Sequence, residues 1–161
     1  MLALSLQSKH AFRIDYNIGS TFPAYAAATG KALLSELTEA EIDSLYPHEK
    51  LQQITKKTIA TKTELKLELE QIRKVGVAFN KEGRYEGVEA ISSVIRDVNC
   101  KAVAAISIAA PIVRLDDTKH ERIAELIRLG ARLISHRLGC QNAGKPILEI
   151  KEICSWWEQN Q

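Results

Sequence analysis

Cysteine is scarce in this sequence, because 161 residues contain only three, Cys100, Cys140 and Cys154. An odd count with no short paired spacing argues against a disulfide framework and against a zinc knuckle. It suits a chain that works in a reducing compartment. We therefore predict a cytoplasmic protein that binds no metal.

The sequence also lacks a long hydrophobic run. Its longest apolar stretch, residues 103–113, is interrupted by Ser107 and is too short to cross a bilayer. The first residues have no basic leader and reach Lys9 and His10 without a long apolar core, so we expect no signal peptide. These absences predict no membrane association.

Charge of one sign does not dominate. The 22 basic and 20 acidic residues leave a net charge of +2, and basic residues stand among acidic ones, as Lys56 and Lys57 do between Glu49 and Glu64. A domain that grips DNA usually has a clustered basic face. We predict that this chain by itself does not bind duplex DNA specifically.

Signatures of catalysis are missing as well. There is no Gly-x-Ser-x-Gly elbow and no His-Glu-x-x-His pair, and no histidine has another at i+4. Gly30-Lys31 could suggest a phosphate loop, but Tyr25 stands where that loop needs glycine and Ala32 where it needs a hydroxyl. We predict a protein that is not an enzyme and uses no cofactor.

Periodic patterns predict the first elements of the chain. Alternating apolar residues at 2–6 and 12–18 indicate two strands. The alanine-rich segment 24–37 is expected to be helical near its end. Two helices should follow, one started by Thr38 with Glu41 and one started by Thr61 with Glu64 and ended by Gly76, because both pairs have capping-box spacing.

The second half predicts a sheet and a long helix. Residues 77–79 indicate a strand that enters a polar loop at 81–87. Glu82, Glu86 and Glu89, around Gly83 and Gly87, could line a site, but a solvated loop is the simpler interpretation. Residues 88–95 and 101–110 indicate a hairpin, and 118–138 a helix before Gly139. This grouping predicts an α+β domain over residues 1–139, with helices on the faces of an antiparallel sheet. The tail, 140–161, contains Trp156-Trp157, which either pack the tail against the core or anchor an interface with a partner.

Four segments share the order and spacing of one known family. They are Gly19-Ser20-Thr21-Phe22-Pro23 followed by 26–34, the pattern Leu-x-x-Glu-Leu-x-x-Ile-Arg-x-x-Gly at 65–76, residues 77–92, and residues 103–111 before the final helix. Together they resemble the effector-binding domain of IclR-family transcription regulators. The resemblance covers residues 1–139 and implies a GAF-like fold with a small-molecule pocket on one face of a curved antiparallel sheet.

The resemblance also implies how such a chain works. A homo-dimer or tetramer binds a small organic acid, and effector binding changes how paired DNA-binding domains are held. DNA is read by a separate N-terminal winged helix-turn-helix domain. We expect this chain to lack that domain and the first helix and strand of the sensing domain, so that it meets DNA only through the absent part.

The family pocket corresponds to eight positions of this sequence. One side chain closes a wall, three residues supply backbone amides at a helix start, and four line the sheet. In that order they are Phe22; Ala28, Thr29 and Gly30; and Asn80, Ala90, Ser107 and Ala109.

Three of these positions depart from relatives that bind very small oxoacids. Such relatives have an acid at the position of Asn80, a cysteine at that of Ala90 and a serine at that of Ala109. The resemblance therefore implies a roomier and less polar pocket here. It favours a larger organic acid, such as an aromatic one, over a tiny oxoacid.

Ser107 has two interpretations. A hydroxyl in an apolar strand needs a partner, which is a backbone carbonyl, as is common, a water molecule or the ligand. The ligand interpretation is favoured by Ala105 and Ala109, which share its face and leave room above the sheet.

Three functions remain open at this point. The leading one is a sensor that is not an enzyme. The second is a truncated interaction module that pairs with full-length regulators, suggested by the missing DNA-binding domain and the Trp156-Trp157 tail. The third is a small enzyme on a GAF-like scaffold, for which Asn80, Thr29 and Ser107 offer neither a tuned base nor a metal site.

Overall fold

The computed structural model describes residues 4–6, 14 and 18–141. Residues 4–6 are not in a strand, the rest of the two predicted N-terminal strands lies almost wholly outside the described residues, and so does the Trp156-Trp157 tail. The order is a 3-10 turn at Ala24–Ala26, then α1 (Ala28–Leu34), α2 (Glu39–Leu45), α3 (Lys62–Val75), β1 (Ala78–Lys81), β2 (Val88–Arg96), β3 (Ala102–Pro111), a second 3-10 turn at Ile112–Arg114 and α4 (Asp117–Arg137). The predicted α+β class is confirmed.

Local capping residues start α2 and α3 and end α3, as the sequence predicts. Thr38 forms a full capping box with Glu41 before α2. These hydrogen bonds from Thr38 hold the pKa of Glu41 below its ordinary value. The Thr61 side chain accepts from the backbone of Glu64 at the start of α3, and Gly76 ends that helix with φ of 76°. A left-handed residue at this place satisfies a terminal carbonyl at little cost only when it is glycine.

The alanine-rich segment is less continuous than a single helix. Ala27 is extended, with φ of −134° and ψ of 146°, and separates the 3-10 turn from α1. The end of α1 is set by α3, because Arg73 donates from Nε to the carbonyl of Ser35 (2.6 Å) and from Nη2 to that of Leu37 (2.8 Å). The guanidinium thus satisfies the carbonyl of Ser35, which caps α1, and that of Leu37 in the connection to α2.

The strands form one antiparallel sheet in the order β1-β2-β3. Alternate residues of each strand point to opposite faces. One face packs against α1, α2 and α3, where Ala78, Val94 and Ala105 join a core around Leu65 and Leu69. On the other face, Val77, Ile91 and Ala124 form a smaller cluster with α4.

Glu89 corrects one of the sequence-based interpretations. It lies in β2 rather than in a solvated loop, is buried, and places Oε1 2.8 Å from Nε2 of His120. The His120 ring stacks on Phe79 at 4.7 Å between centroids. The alternation of β2 turns this carboxylate toward α4, which supplies its partner.

A pair of cysteines also corrects the sequence-based expectation. Cys100, in the turn between β2 and β3, and Cys140, just after α4, form a disulfide with 5.0 Å between their Cα atoms. They are separated by 40 residues, a spacing that indicates nothing by itself. The pair forms because Gly139 packs against Val98, bringing the end of α4 onto the hairpin turn.

An ion pair joins α1 to α3. Lys31 is almost fully buried, and its Nζ lies 2.8 Å from Oε1 of Glu68, whose side chain is one-third exposed. Removing one partner of a buried pair leaves the other charge without compensation, which costs far more than breaking a surface pair.

We expect Glu68→Gln to lower the free energy of unfolding by about 2 kcal/mol. This is less than the loss of a fully buried ion pair would cost, because Glu68 is partly solvated. Urea denaturation measures this. The matched control is Glu70→Gln, which breaks the exposed pair with Lys74 and should cost less than about 0.5 kcal/mol. Lys31→Met in the Glu68→Gln background should restore most of the loss. Equal effects of the two Glu→Gln changes would contradict the argument.

Candidate functional site

The strand register places three predicted pocket residues side by side. Asn80 of β1 pairs with Ala90 of β2, and Ala90 pairs with Ala109 of β3. Residues directly opposite in antiparallel strands share a face. This row is on the same face as Ala78 and Ala105, which pack in the core beside α1. We call Asn80, Ala90 and Ala109 the small-residue row.

Ser107 lies in the next row, directly opposite Ser92. The Ser107 hydroxyl donates to the carbonyl of Ile91 (3.0 Å), and the Ser92 hydroxyl donates to that of Ile106 (2.8 Å). The Ser107 hydroxyl therefore donates to a backbone carbonyl, as in the first interpretation. Its oxygen can still accept a hydrogen bond from a ligand. Ser92 was not among the residues expected from the sequence, although its place two residues after Ala90 puts it on the same face.

The start of α1 carries the amides that the resemblance implies. Ala27 provides no capping side chain, and Lys31 is the first residue of this turn whose N–H bonds to a helix carbonyl, that of Ala27 (2.9 Å). Among residues 18–141, no acceptor serves the N–H groups of Ala28, Thr29 and Gly30. Unpaired amides at a helix start favour an anion.

Gly30 allows the 3-10 turn to lie directly on α1. A Cβ at this position would lie 2.6 Å from the carbonyl carbon of Ala24 and closer still to its oxygen. Because the obstacle is backbone, a side-chain rotation cannot relieve it. The close approach holds the 3-10 turn in place against the first turn of α1.

Asn80 connects the small-residue row to that turn. It is 5% exposed, and its Nδ2 donates to the carbonyl of Ala26 at 3.0 Å. Its Oδ1 is buried and has no hydrogen-bond partner among the described residues. Gly83 packs directly against Oδ1 of Asn80, and a Cβ at position 83 would also lie 3.0 Å from Cγ of Asn80. The site thus contains a fixed, unsatisfied acceptor.

Phe22 meets a residue that the sequence did not indicate. The guanidinium of Arg84, in the loop between β1 and β2, lies over the Phe22 ring at 3.6 Å from its centroid. The loop is anchored by hydroxyls of Thr55 and Thr58, each 2.7 Å from a carbonyl of residues 82–83. Only the folded loop brings Arg84 to Phe22, so no local pattern could reveal the contact.

The structure therefore joins the predicted residues in two groups. The sheet residues share one face, and Asn80 links them to the turn before α1, while Phe22 lies against Arg84. None of the eight lines either of two clefts found elsewhere, one of about 190 Å³ between α2 and α3 and one of about 510 Å³ at the end of the sheet. In the part of the chain that the structure describes, no cluster of three metal-ligating side chains occurs, and no helix is long and apolar enough to cross a membrane.

Comparison of the sequence with known proteins points to one family. Residues 2–136 match the family model of the bacterial transcriptional regulator IclR C-terminal domain. The HTH-type transcriptional repressor AllR of Escherichia coli K12 is 39% identical over 134 residues, which are 83% of this chain and 49% of AllR. The chain spans about half the length of the curated relatives it matches.

Solved structures agree with the sequence match. The repressor BlcR of Agobacterium tumefaciens superimposes with a TM-score of 0.74 at 32% identity, over 77% of this chain and 51% of BlcR. The inducer-binding domain of the PobR transcription factor from Acinetobacter shares the fold, with a TM-score of 0.69 at 23% identity over 74% of this chain and 69% of that domain. These relatives are regulators rather than enzymes. The chain belongs to the IclR family of bacterial transcriptional regulators, of which it represents the C-terminal, effector-binding domain.

Proposed function

We propose that the chain is the ligand-sensing part of a cytoplasmic transcription regulator and binds a small organic acid between the small-residue row and the first turn of α1. The observation that carries this proposal is the register, which aligns Asn80, Ala90 and Ala109 on the face beside α1. Small side chains along a row leave space for a ligand above the sheet. The sensing unit spans residues 1–139.

The polar groups define the chemistry of the ligand. The amides of Ala28, Thr29 and Gly30 offer three donors to a carboxylate. The buried Oδ1 of Asn80 needs a donor in return, since its own Nδ2 is held by Ala26. We infer an acid that also carries a hydroxyl or N–H group.

Ligand size follows from the same row. Alanines at positions 90 and 109 present methyl groups only, so the row beyond Asn80 offers apolar surface rather than hydrogen bonds. An aromatic ring suits such a surface. A double mutant of the PobR inducer-binding domain, which has this fold, is known in complex with 3-hydroxybenzoic acid, so the fold can accommodate an aromatic hydroxy acid.

Calorimetry tests the proposal directly. The chain is titrated with benzoate, 3-hydroxybenzoate, a two-carbon oxoacid and, as the neutral control, benzamide. We expect the hydroxybenzoate to bind more tightly than benzoate and the benzamide not to bind. Tight binding of the oxoacid alone would contradict the preference for a larger acid. If none of the acids binds, the proposed sensing function is wrong.

Ser107 provides a finer test on the same face. We expect Ser107→Ala to weaken binding of the best acid by roughly 1 kcal/mol, about fivefold, while the melting temperature changes little because the side chain is exposed. Ser92→Ala is the matched comparison, since this buried hydroxyl donates to a carbonyl in the same way. A clearly lower melting temperature with unchanged affinity in Ser107→Ala would assign Ser107 a structural role.

Transmission of the effector signal to DNA requires other copies of the chain and a DNA-binding domain. We propose that effector binding acts through contacts between copies of the chain in a dimer or tetramer, and reaches DNA through a separate helix-turn-helix domain. Light scattering of the purified chain with and without the acid measures the assembly. A monomer in both conditions would contradict transmission through oligomer contacts.

A further inference from the structure

A second cleft opens at the opposite end of β2 from the small-residue row. The pairing of β1 with β2 ends at Ala78 and Ser92, so among the described strands none pairs with the last residues of β2 on that side. The gap is bounded by the end of α3, by the last three turns of α4 and by the disulfide of Cys100 and Cys140. Its volume is about 510 Å³, which is within the range of small-ligand sites.

The cleft is lined by positive charge. Five of the lining residues are basic and, among those the structure describes, none is acidic; the basic residues are Arg73, Lys74, Arg96, Arg128 and Arg132. The sequence does not indicate this cluster, because along the chain the basic residues stand among acidic ones. The cluster raises the local concentration of anions.

Three of these cations already have partners in the fold. Arg73 caps the end of α1, Arg96 pairs with Glu36 at 2.6 Å, and Lys74 pairs with Glu70 at 2.8 Å. Their role is structural, and they add to the potential of the cleft without being free to bind.

The other two are uncommitted. Arg128 and Arg132 follow one another by one turn of α4, which puts both on the same helical face. Within residues 18–141 neither forms an ion pair, and Nε of Arg128 is buried with no hydrogen-bond partner. A buried donor without an acceptor lowers the stability of the fold. An oxygen atom of a ligand would remove this cost by accepting a hydrogen bond from Nε of Arg128.

We propose that this cleft binds a small dianionic phosphate compound, such as a phosphate monoester, held by Arg128 and Arg132. Guanidinium groups present paired donors that match the oxygens of phosphate. Two uncompensated positive charges balance the charge of a phosphate monoester near pH 7. The site is separate from the proposed acid site, since it shares none of its eight residues.

Titration with inorganic phosphate and with glucose 6-phosphate, at constant ionic strength set by chloride, tests the proposal. The readout is calorimetry together with the NMR signal of the Nε–H group of Arg128. We expect that signal to shift, and we expect Arg128→Gln and Arg132→Gln each to weaken phosphate binding at least tenfold. Arg132 is exposed, so its variant reports on binding even if Arg128→Gln were less stable.

Arg137→Gln is the matched control, because it removes the same charge from the exposed end of the same helix outside the cleft. Its phosphate affinity should equal that of the unchanged chain. Equal losses in all three variants would show a response to net charge alone and would overturn the proposal. Tighter binding of malonate than of phosphate, or displacement of phosphate by duplex DNA at lower concentration, would overturn it as well. Organic-acid binding should be unchanged in Arg132→Gln, so the two proposed sites stand or fall separately.

Discussion

Gly30→Ala is expected to lower the free energy of unfolding by about 3 kcal/mol and to abolish binding of organic acids. The new methyl group would overlap the backbone of Ala24, which lies 2.5 Å away at its Cα. Overpacking against side chains costs about 1–3 kcal/mol, and a backbone obstacle puts the change at the upper end. The 3-10 turn would have to move, taking the Ala26 carbonyl away from Asn80.

Gly130→Ala is the matched control for this change. Gly130 lies within α4. The atom nearest to a Cβ added at this position is Cδ1 of Ile106, at 4.0 Å, which is an ordinary van der Waals distance. Alanine in a helix interior is favoured over glycine by about 0.5–1 kcal/mol, so this variant should be slightly stabilised. Thermal and urea denaturation of both variants decide the point. A Gly30→Ala protein as stable as the unchanged chain would refute the close approach of the 3-10 turn to α1.

Ala109→Leu is expected to weaken binding of the best organic acid by at least about 100-fold, or 2.7 kcal/mol. The larger side chain would occupy the end of the small-residue row, where the proposed ligand lies beside Ala90. Ala109 is only partly buried, so the added volume can be accommodated toward the space that the ligand would use. The change should therefore act on affinity more than on stability.

The matched control is Ala104→Leu, on the same strand. Ala104 is exposed and, five residues from Ala109, points to the opposite face of the sheet. Calorimetry should give unchanged affinity for this variant, and differential scanning calorimetry should give similar melting temperatures for both. Full affinity in Ala109→Leu would move the acid site to another part of the molecule.

Sequence patterns predict well the elements whose ends are set by neighbours in the chain. The capping pairs Thr38 with Glu41 and Thr61 with Glu64 are three residues apart, and their hydrogen bonds form wherever those residues start a helix. The same holds for Gly76. The alanine-rich segment is predicted less well, because its interruption at Ala27 and its end at Leu34 depend on packing and on Arg73 of α3.

The candidate site divides in the same way. The period of two along β3 is enough to predict that Ser107 and Ala109 share one face of the sheet, whereas the alignment of Ala90 with Ala109 depends on the register of β2 with β3. The partners of those residues could not be predicted. Arg84 over Phe22 and the buried Oδ1 of Asn80 both depend on how the loop after β1 folds back.

By itself, the sequence determined the α+β class, the caps, the hairpin, the inward faces of the strands and the family, because each rests on spacings of a few residues or on motifs in order along the chain. Only the tertiary structure decided the close approach at Gly30, the burial of Glu89 beside His120 and the disulfide of Cys100 with Cys140. It alone gathered the basic residues of α3, β2 and α4 into one cleft. These features join segments 6 to 59 residues apart, and the geometry between such segments is set by the packing of the whole domain rather than by local hydrogen bonds.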